Sequence, residues 1–250
     1  MNLSYGKILI SSYRKTKIEQ SANRARLKNA RGSVSYTDLQ DLEQLLFYNY
    51  DSIVKDLEEE INIYCKTIPV YRKYLSDIEG ISQDNALELL VHIKDISRFD
   101  TVSKLYSYLG LAPIYYCHVC NKRYFEDKFE SNFWAKNHLV DHRLNAWDYV
   151  CSCSEPKPYH ASNRKMKDMI PDYNEQGKKI AIVIGDKLSK YNDFYKNIFT
   201  EYRRKELLKQ LTSVHADNRA RRKVAKLFLL DLFNNWRKIE GLEEVREYRK

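Results

Sequence analysis

The feature that most constrains this chain is how rarely it is punctuated. Seven glycines and five prolines occur in 250 residues, and none lies between Gly32 and Pro69. Sheets and hairpins need frequent reversals, and glycine and proline make most of them. The expected fold is therefore mostly α-helical. Within the unbroken stretch, Leu39, Leu42, Leu45 or Leu46, Ile53, Leu57 and Ile61 recur at helical spacing. Thr37 followed by Gln40 has the capping-box spacing that opens a helix. A helix over residues 36–67 is longer than most globular helices. It is expected either as a coiled-coil arm that joins the chain into a homo-oligomer, or as a helix packed on its own domain.

Charge narrows the class of partner. The formal charge is +9 and the isoelectric point about 9.1, which suits a polyanion such as DNA. Residues 1–35 concentrate that charge: Lys7, Arg14, Lys15, Lys17, Arg24, Arg26, Lys28 and Arg31 oppose Glu19 alone. This stretch reads as a basic N-terminal arm, with a short strand over Tyr5 to Tyr13, that either tracks a phosphate backbone or stays solvated. No apolar run reaches the roughly 18 residues of a membrane span, and the first residues lack the charged start and cleavage site of a signal peptide. The expected setting is cytoplasmic and nucleoid-associated, without a membrane partner. The five cysteines are then reduced or metal-bound rather than paired in disulfides.

Residues 68–250 read as a second region, helical, with an insert at about 114–155. Its first part contains Ile78-Glu79-Gly80-Ile81-Ser82, a tight reversal between two apolar helical segments. Gly80 stands where the turn needs positive φ or no side chain. The pattern is that of a helix-hairpin-helix, which would present the backbone amides around Gly80, Ile81 and Ser82 to a DNA phosphate. An ordinary αα-hairpin closed by glycine has the same spacing. Asp100 or Thr101 then caps a further helix ending at Gly110.

From Tyr115 the sequence changes character. Cys117 and Cys120 form C-x2-C, and His138 and His142 form H-x3-H. Two thiolates and two imidazoles satisfy a tetrahedral Zn²⁺, so a small C2H2-like module with structural zinc is expected. Cys151 and Cys153 either replace one of the histidines or bind nothing, and His118 and His160 are weaker candidates. Beyond the insert the chain is helical again. Arg164 and Lys165 lie in one basic segment. Arg219, Arg221, Arg222 and Lys223 lie on the first half of a long terminal helix whose second half is apolar. Such a helix suits contact with a phosphate backbone, or has a charged face turned to solvent.

The order of these pieces resembles the insertion-sequence transposases of the 110, 116 and 902 type. The resemblance rests on I-x-G-I-S-x-x-x-A (Ile78 to Ala86), D-I-S-R-F (Asp95 to Phe99), S-Y-L-G-L-A-P (Ser107 to Pro113), S-N-R-K-M-K (Ser162 to Lys167) and A-R-R-K-V-A-K (Ala220 to Lys226). It implies an enzyme that cuts and rejoins DNA, with a structured guide RNA in some members. It also implies an RNase-H-like N-terminal domain with four acidic metal ligands, and a C-terminal domain with a serine nucleophile and a helix-hairpin-helix. Here Glu19 is the only acid before residue 37, so the acidic site is not expected in this sequence. Ser152 and Ser154 are the nominated serines, although neither precedes a glycine. Two readings follow. One is an accessory or catalytically degenerate DNA-binding protein related to the C-terminal domain of these transposases. The alternative is an active recombinase that uses a serine together with a separately supplied nuclease half. RNA binding through the basic segments is a third.

Overall fold

The computed structural model describes residues 3–30, 36–124, 126, 150–162 and 171–243. Among these residues the chain is mostly helical, with one two-stranded sheet. It forms two compact units: Met1–Ile96 with Asn234–Glu243, and Ser97–Phe233 with Glu244–Lys250.

The first unit begins with two long helices, α1 (Ser4–Ala30) and α2 (Tyr36–Thr67). They run antiparallel. The Tyr5 hydroxyl donates to Glu60 at 3.2 Å, that of Tyr13 to Glu58 at 2.9 Å, and the Gln20 amide to Asp51, so partner numbers fall as α1 advances. Leu3, Gly6, Ile10, Tyr13, Gln20 and Leu27 are buried along α1, a spacing of three, four and seven residues that keeps one seam facing a partner helix. Charge reinforces the pairing. The first helix carries seven basic residues and one acidic, the second eight acidic and two basic.

This corrects the expected strand over Tyr5 to Tyr13. Three consecutive apolar residues, Ile8-Leu9-Ile10, are too few for periodicity to separate strand from helix. The complementary stripe on α2 decides the matter. The long helix also differs in its facing. Val54, Ile61 and Cys65 are buried, whereas Leu42, Leu45 and Ile53 of the anticipated stripe are exposed. Its apolar seam is thus used within the chain, and a second row stays on the surface. Thr37 lies inside α2, which runs from Tyr36.

After α2 come α3 (Pro69–Lys73), a 3-10 turn over Leu75–Asp77, and α4 (Gln83–Ile93). Ala86, Leu87, Leu89, Leu90 and Ile93 of α4 are buried in the core of this unit. Arg14 of α1 pairs with Asp84 at 3.1 Å and Glu88 at 2.7 Å, and donates to Asn85 at 2.8 Å. Basic arm, long helix and hairpin therefore belong to one packed body.

The second unit opens with α5 (Val102–Tyr108), whose Thr101 hydroxyl accepts the Lys104 amide. At the other end Leu111 N–H reaches Tyr106 O at 2.8 Å and Gly110 N–H reaches Ser107 O at 3.0 Å. With Gly110 at φ 62°, this is a Schellman ending. A Cβ there would also lie 2.6 Å from the Tyr173 ring. Strands β1 (Pro113–Cys117) and β2 (Pro158–Ser162) pair antiparallel, Cys117 opposite Pro158. Three helices follow: α6 (Glu175–Tyr191), α7 (Asp193–Leu207) and α8 (Ser213–Ile239). Asn174 and Asn192 cap α6 and α7 with their side-chain oxygens. Buried Ile180, Ile184 and Leu188 of α6 and buried Ala216, Ala220, Val224, Phe228 and Leu232 of α8 repeat at four-residue spacing. Where α6 meets α8, a Cβ on Gly185 would stand 2.8 Å from the Arg221 carbonyl oxygen and 2.9 Å from Ala225 Cβ.

That approach is against backbone, so the neighbour cannot swing aside. Gly185→Ala should destabilise the chain by about 1–3 kcal/mol, read as a lowered denaturation midpoint with unchanged slope.

Candidate metal centre and nucleic-acid interface

The metal centre is built at the end of β1. Cys117 N–H donates to Lys122 O at 2.9 Å, Asn121 N–H to Cys117 O at 2.7 Å, and Asn121 takes φ 56°. The chain thus reverses tightly between the first two cysteines and aims both thiols at one point. Residue Arg123 then forms bridges to Tyr116 and to Val150, and Cys151 N–H donates to Arg123 O at 2.8 Å. This brings Cys151 and Cys153 to the same place. The four sulfurs of Cys117, Cys120, Cys151 and Cys153 lie within 4.8 Å of one another. A tetrahedral ion at the usual zinc–sulfur distance needs sulfurs about 3.8 Å apart, so the set fits one ion with a small contraction.

The thiols also interact before any ion is considered. Burial pushes the Cys117 thiol up, but the backbone N–H groups of Cys120, Lys157 and Val119 and the Cys151 thiol outweigh it and bring the value down to about 6. Hydrogen bonding with Cys120 and Cys151 pushes Cys153 up to about 12, and burial raises Cys151. The Cys117 thiolate is therefore favoured, while Cys151 and Cys153 are shifted toward their protonated forms. A divalent cation replaces those protons. Cys65, the fifth cysteine, is buried apart from the group, and its burial raises it to about 12.

Of the sequence-predicted ligands, the structure brings Cys117 and Cys120 together. His138 and His142 lie outside the described residues. Cys151 and Cys153, left open from the sequence, complete the sulfur set. Their signal was present: a second close cysteine pair, thirty residues after the first. His118 stacks on Tyr159 with ring centres 4.0 Å apart. Ser152 and Ser154 are exposed on the loop that carries the second pair.

The basic residues of α8 separate into two sets by helical phase. Arg221 turns toward α6 and pairs with Asp186 at 2.7 Å. Arg219, Arg222, Lys223 and Lys226 share the other side, at spacings of three, four and seven, and line an open groove of about 1010 Å³. Leu111, Pro113, Tyr202, Leu211, His215 and Asn218 complete its lining. Arg219 is held at 2.7 Å by Glu206, which also takes Lys209. Among the described residues, Arg222, Lys223 and Lys226 have no carboxylate partner. Burial and neighbouring Arg219 lower Arg222, while burial, Arg222 and Lys223 lower Lys226. Half-buried Lys178 of α6 belongs to the same field: burial first, then Arg222, brings it down to about 8. Lys178 lies 4.3 Å from the Tyr173 ring centre, and Lys226 lies 4.9 Å from that of Tyr106. Arg219, Arg222 and Lys223 were expected from the sequence. Lys226 was legible as the next helical repeat, whereas Lys178 comes from another helix. Arg164 and Lys165 lie outside the described residues.

At the hairpin, Gly80 takes φ 93°, and Ile81 N–H closes the turn on Ile78 O at 3.3 Å. Ser82 stands at the start of α4 and accepts the Asn85 side-chain amide at 2.7 Å instead of a backbone N–H. The charges around the turn are mixed: Arg72, Lys73, Asp77 and Glu79 are exposed, and Asp84 in the first turn of α4 is paired with Arg14 at 3.1 Å.

Residues 72–116 match the family model described as Transposase IS116/IS110/IS902 family. The match runs from α3 through the Gly80 turn, α4 and α5 into β1, and ends one residue before Cys117. No curated protein matches the chain. The matched segment, residues 72–116, is thus similar to part of a transposase family. No helix among the described residues is long and apolar enough to cross a membrane.

The sulfur set predicts its own spectrum. On titration with Cd²⁺, the charge-transfer absorption should report four thiolates. Cys151→Ser and Cys153→Ser should each lower it by about a quarter, and His138→Ala should leave it unchanged.

Proposed function

We propose that this chain is a DNA-binding component of transposition that seats a phosphate backbone in the α8 groove and carries a structural Zn²⁺ on Cys117, Cys120, Cys151 and Cys153. The observation that carries the proposal is an imbalance of charge. Three cations of one helix face have no carboxylate partner among the described residues, and half-buried Lys178 adds to their field. Cations that repel one another while partly removed from water are costly until an anion arrives. The row from Arg219 to Lys226 is about 10 Å long. Phosphates of one duplex strand advance by about 3.4 Å each along the helix axis, so a row laid along that axis covers about three such steps.

Four sulfurs in a closed set favour zinc and leave no position for a substrate, which makes the ion's role structural. Among the described residues, those four cysteines are the one group of His, Cys, Asp or Glu close enough to hold an ion. Two-metal phosphoryl transfer uses clustered carboxylates, and that favours an accessory role over cleavage by this chain. Ser152 and Ser154 receive no catalytic role in this proposal. The hairpin around Gly80 is the less favoured DNA contact, because Asp77 and Glu79 stand exposed at the turn itself and repel phosphate.

Binding should be salt-dependent, with log K falling against log salt at a slope of roughly −2 to −3 for three neutralised phosphates. Arg222→Ala and Lys223→Ala should each weaken binding and reduce that slope by about one, measured by anisotropy of a labelled duplex. A salt-independent affinity overturns the phosphate groove.

Lys178 makes a pH prediction. Its folded value of about 8 lies below the 10.5 of an ordinary lysine. Between those values the unfolded chain holds a proton that the folded chain has released, so stability should rise with pH across that window. A bound phosphate favours the ammonium, so affinity should fall as pH rises above about 8. Lys178→Met should flatten both profiles.

A further inference from the structure

We propose that the α8 groove holds an unpaired DNA strand, with one base laid against Tyr202 while Arg222 and Lys223 hold the flanking phosphates. This rests on the phosphate reading above and adds what lies between the phosphates. A surface that only follows a duplex backbone needs cations and little else. This groove has two unlike sides. The α8 side supplies Arg219, Arg222, Lys223 and Lys226; the other side supplies the apolar side chains Leu111, Pro113 and Leu211, which cannot serve a phosphate, and the aromatic ring of Tyr202.

The arrangement has a local cause. Arg203, next to Tyr202 on α7, turns away to pair with Asp217 and to donate to Ser213 at 2.9 Å. That clamp ties the end of α7 to the start of α8. Between them the chain turns through Gln210 at φ 60°, which brings Leu211 into the groove. Tyr202 is half-buried and lines the groove with His215 and Asn218, which stand about two turns and one turn before Arg222. An aromatic face next to a row of cations is the arrangement that single-strand binders use: the ring takes a base and the cations take the backbone. Duplex bases are stacked on each other and cannot offer a face to Tyr202. The imidazole of His215 and the amide of Asn218 stand where a base edge would meet them, as donors and acceptors. The groove of about 1010 Å³ is at the upper end for a single small ligand, and so has room for more than one nucleotide.

The test compares oligo(dT), a fully abasic strand of the same length, and a duplex, each labelled and titrated with the full chain. The abasic strand keeps every phosphate and loses every base. Oligo(dT) should bind about tenfold more tightly than the abasic strand. Tyr202→Leu should remove that difference without altering abasic or duplex binding, and Tyr202→Phe should keep it, since the ring and not the hydroxyl carries the contact. Equal, salt-sensitive binding of oligo(dT) and the abasic strand overturns the base site and leaves the phosphate groove standing. Failure of all three probes to bind overturns the groove itself. A Tyr202→Leu loss shared equally by all probes also overturns the base contact, since the ring then acts through the fold. Tighter binding of oligo(U) than of oligo(dT) overturns the assignment to DNA.

Discussion

The close crossing of α6 and α8 sets the chemistry of the second unit. Gly185 lets the Arg221 carbonyl approach to where a Cβ would meet it at 2.8 Å. With the helices that near, the rotation of α8 about its axis is fixed. Arg221 must face α6, where Asp186 receives it. The stripe from Ala216 through Phe228 and Leu232 must face the core, where it is buried. The remaining face, about one to two residues (~100–200°) out of step with Arg221, is where Arg219, Arg222, Lys223 and Lys226 gather. A rotation of one residue, about 100°, would set Arg222 against α6 and carry Ala220 and Val224 out of the core. Four adjacent basic residues in the sequence thus receive different roles from one contact.

Net charge alone would have placed the polyanion surface elsewhere. The N-terminal stretch is the most one-sidedly basic part of the chain. Yet Lys17 pairs with Glu58, Arg24 with Asp51, and Arg14 with Asp84 and Glu88. The first unit holds 15 basic and 16 acidic residues, the second 28 and 18, so the whole excess lies in the second. Exposed ion pairs contribute little to stability one by one. Their consequence here is distributive: cations already faced by carboxylates are poor phosphate ligands, and the unpaired ones of α8 are good ones.

How far the sequence showed this depended on the range of the interaction concerned. Local signals were legible. Thr101 caps α5, Gly110 ends it, Gly80 reverses the chain, and the terminal helix runs as one piece, because each is decided within about four residues. Signals that need a distant partner were not. Ile8-Leu9-Ile10 resolves into a helix only once α2 supplies its other half. Cys151 and Cys153 join the sulfur cluster only because Arg123 bridges to Val150 and carries that pair to Cys117. Lys178 joins the basic field through the packing of another helix. On α2 the apolar residues were visible, but a helix with two apolar rows does not announce which of them will be covered.

The metal centre and the groove share one strand, and the family match shows where they divide. It ends at Tyr116, so the matched segment supplies β1 and the groove wall at Leu111 and Pro113, and the cysteines begin at the next residue. The groove end of β1 is fixed without them, by the Schellman turn at Gly110 and by Tyr173 against it. The far end is held, among the described residues, by the pairing with β2, the bridge from Tyr116 to Arg123, and the Arg123–Asp172 ion pair at 2.6 Å, both of whose side chains are largely buried. An ion on Cys117, Cys120, Cys151 and Cys153 would join this end of β1 to the segment that carries the second cysteine pair. Asp172 precedes Tyr173, which lies beside Lys178, so the closed ribbon also bears on the half-buried cation of the groove. Under the proposed function the centre would act on DNA indirectly: it would set the far end of a strand whose near end lines the groove.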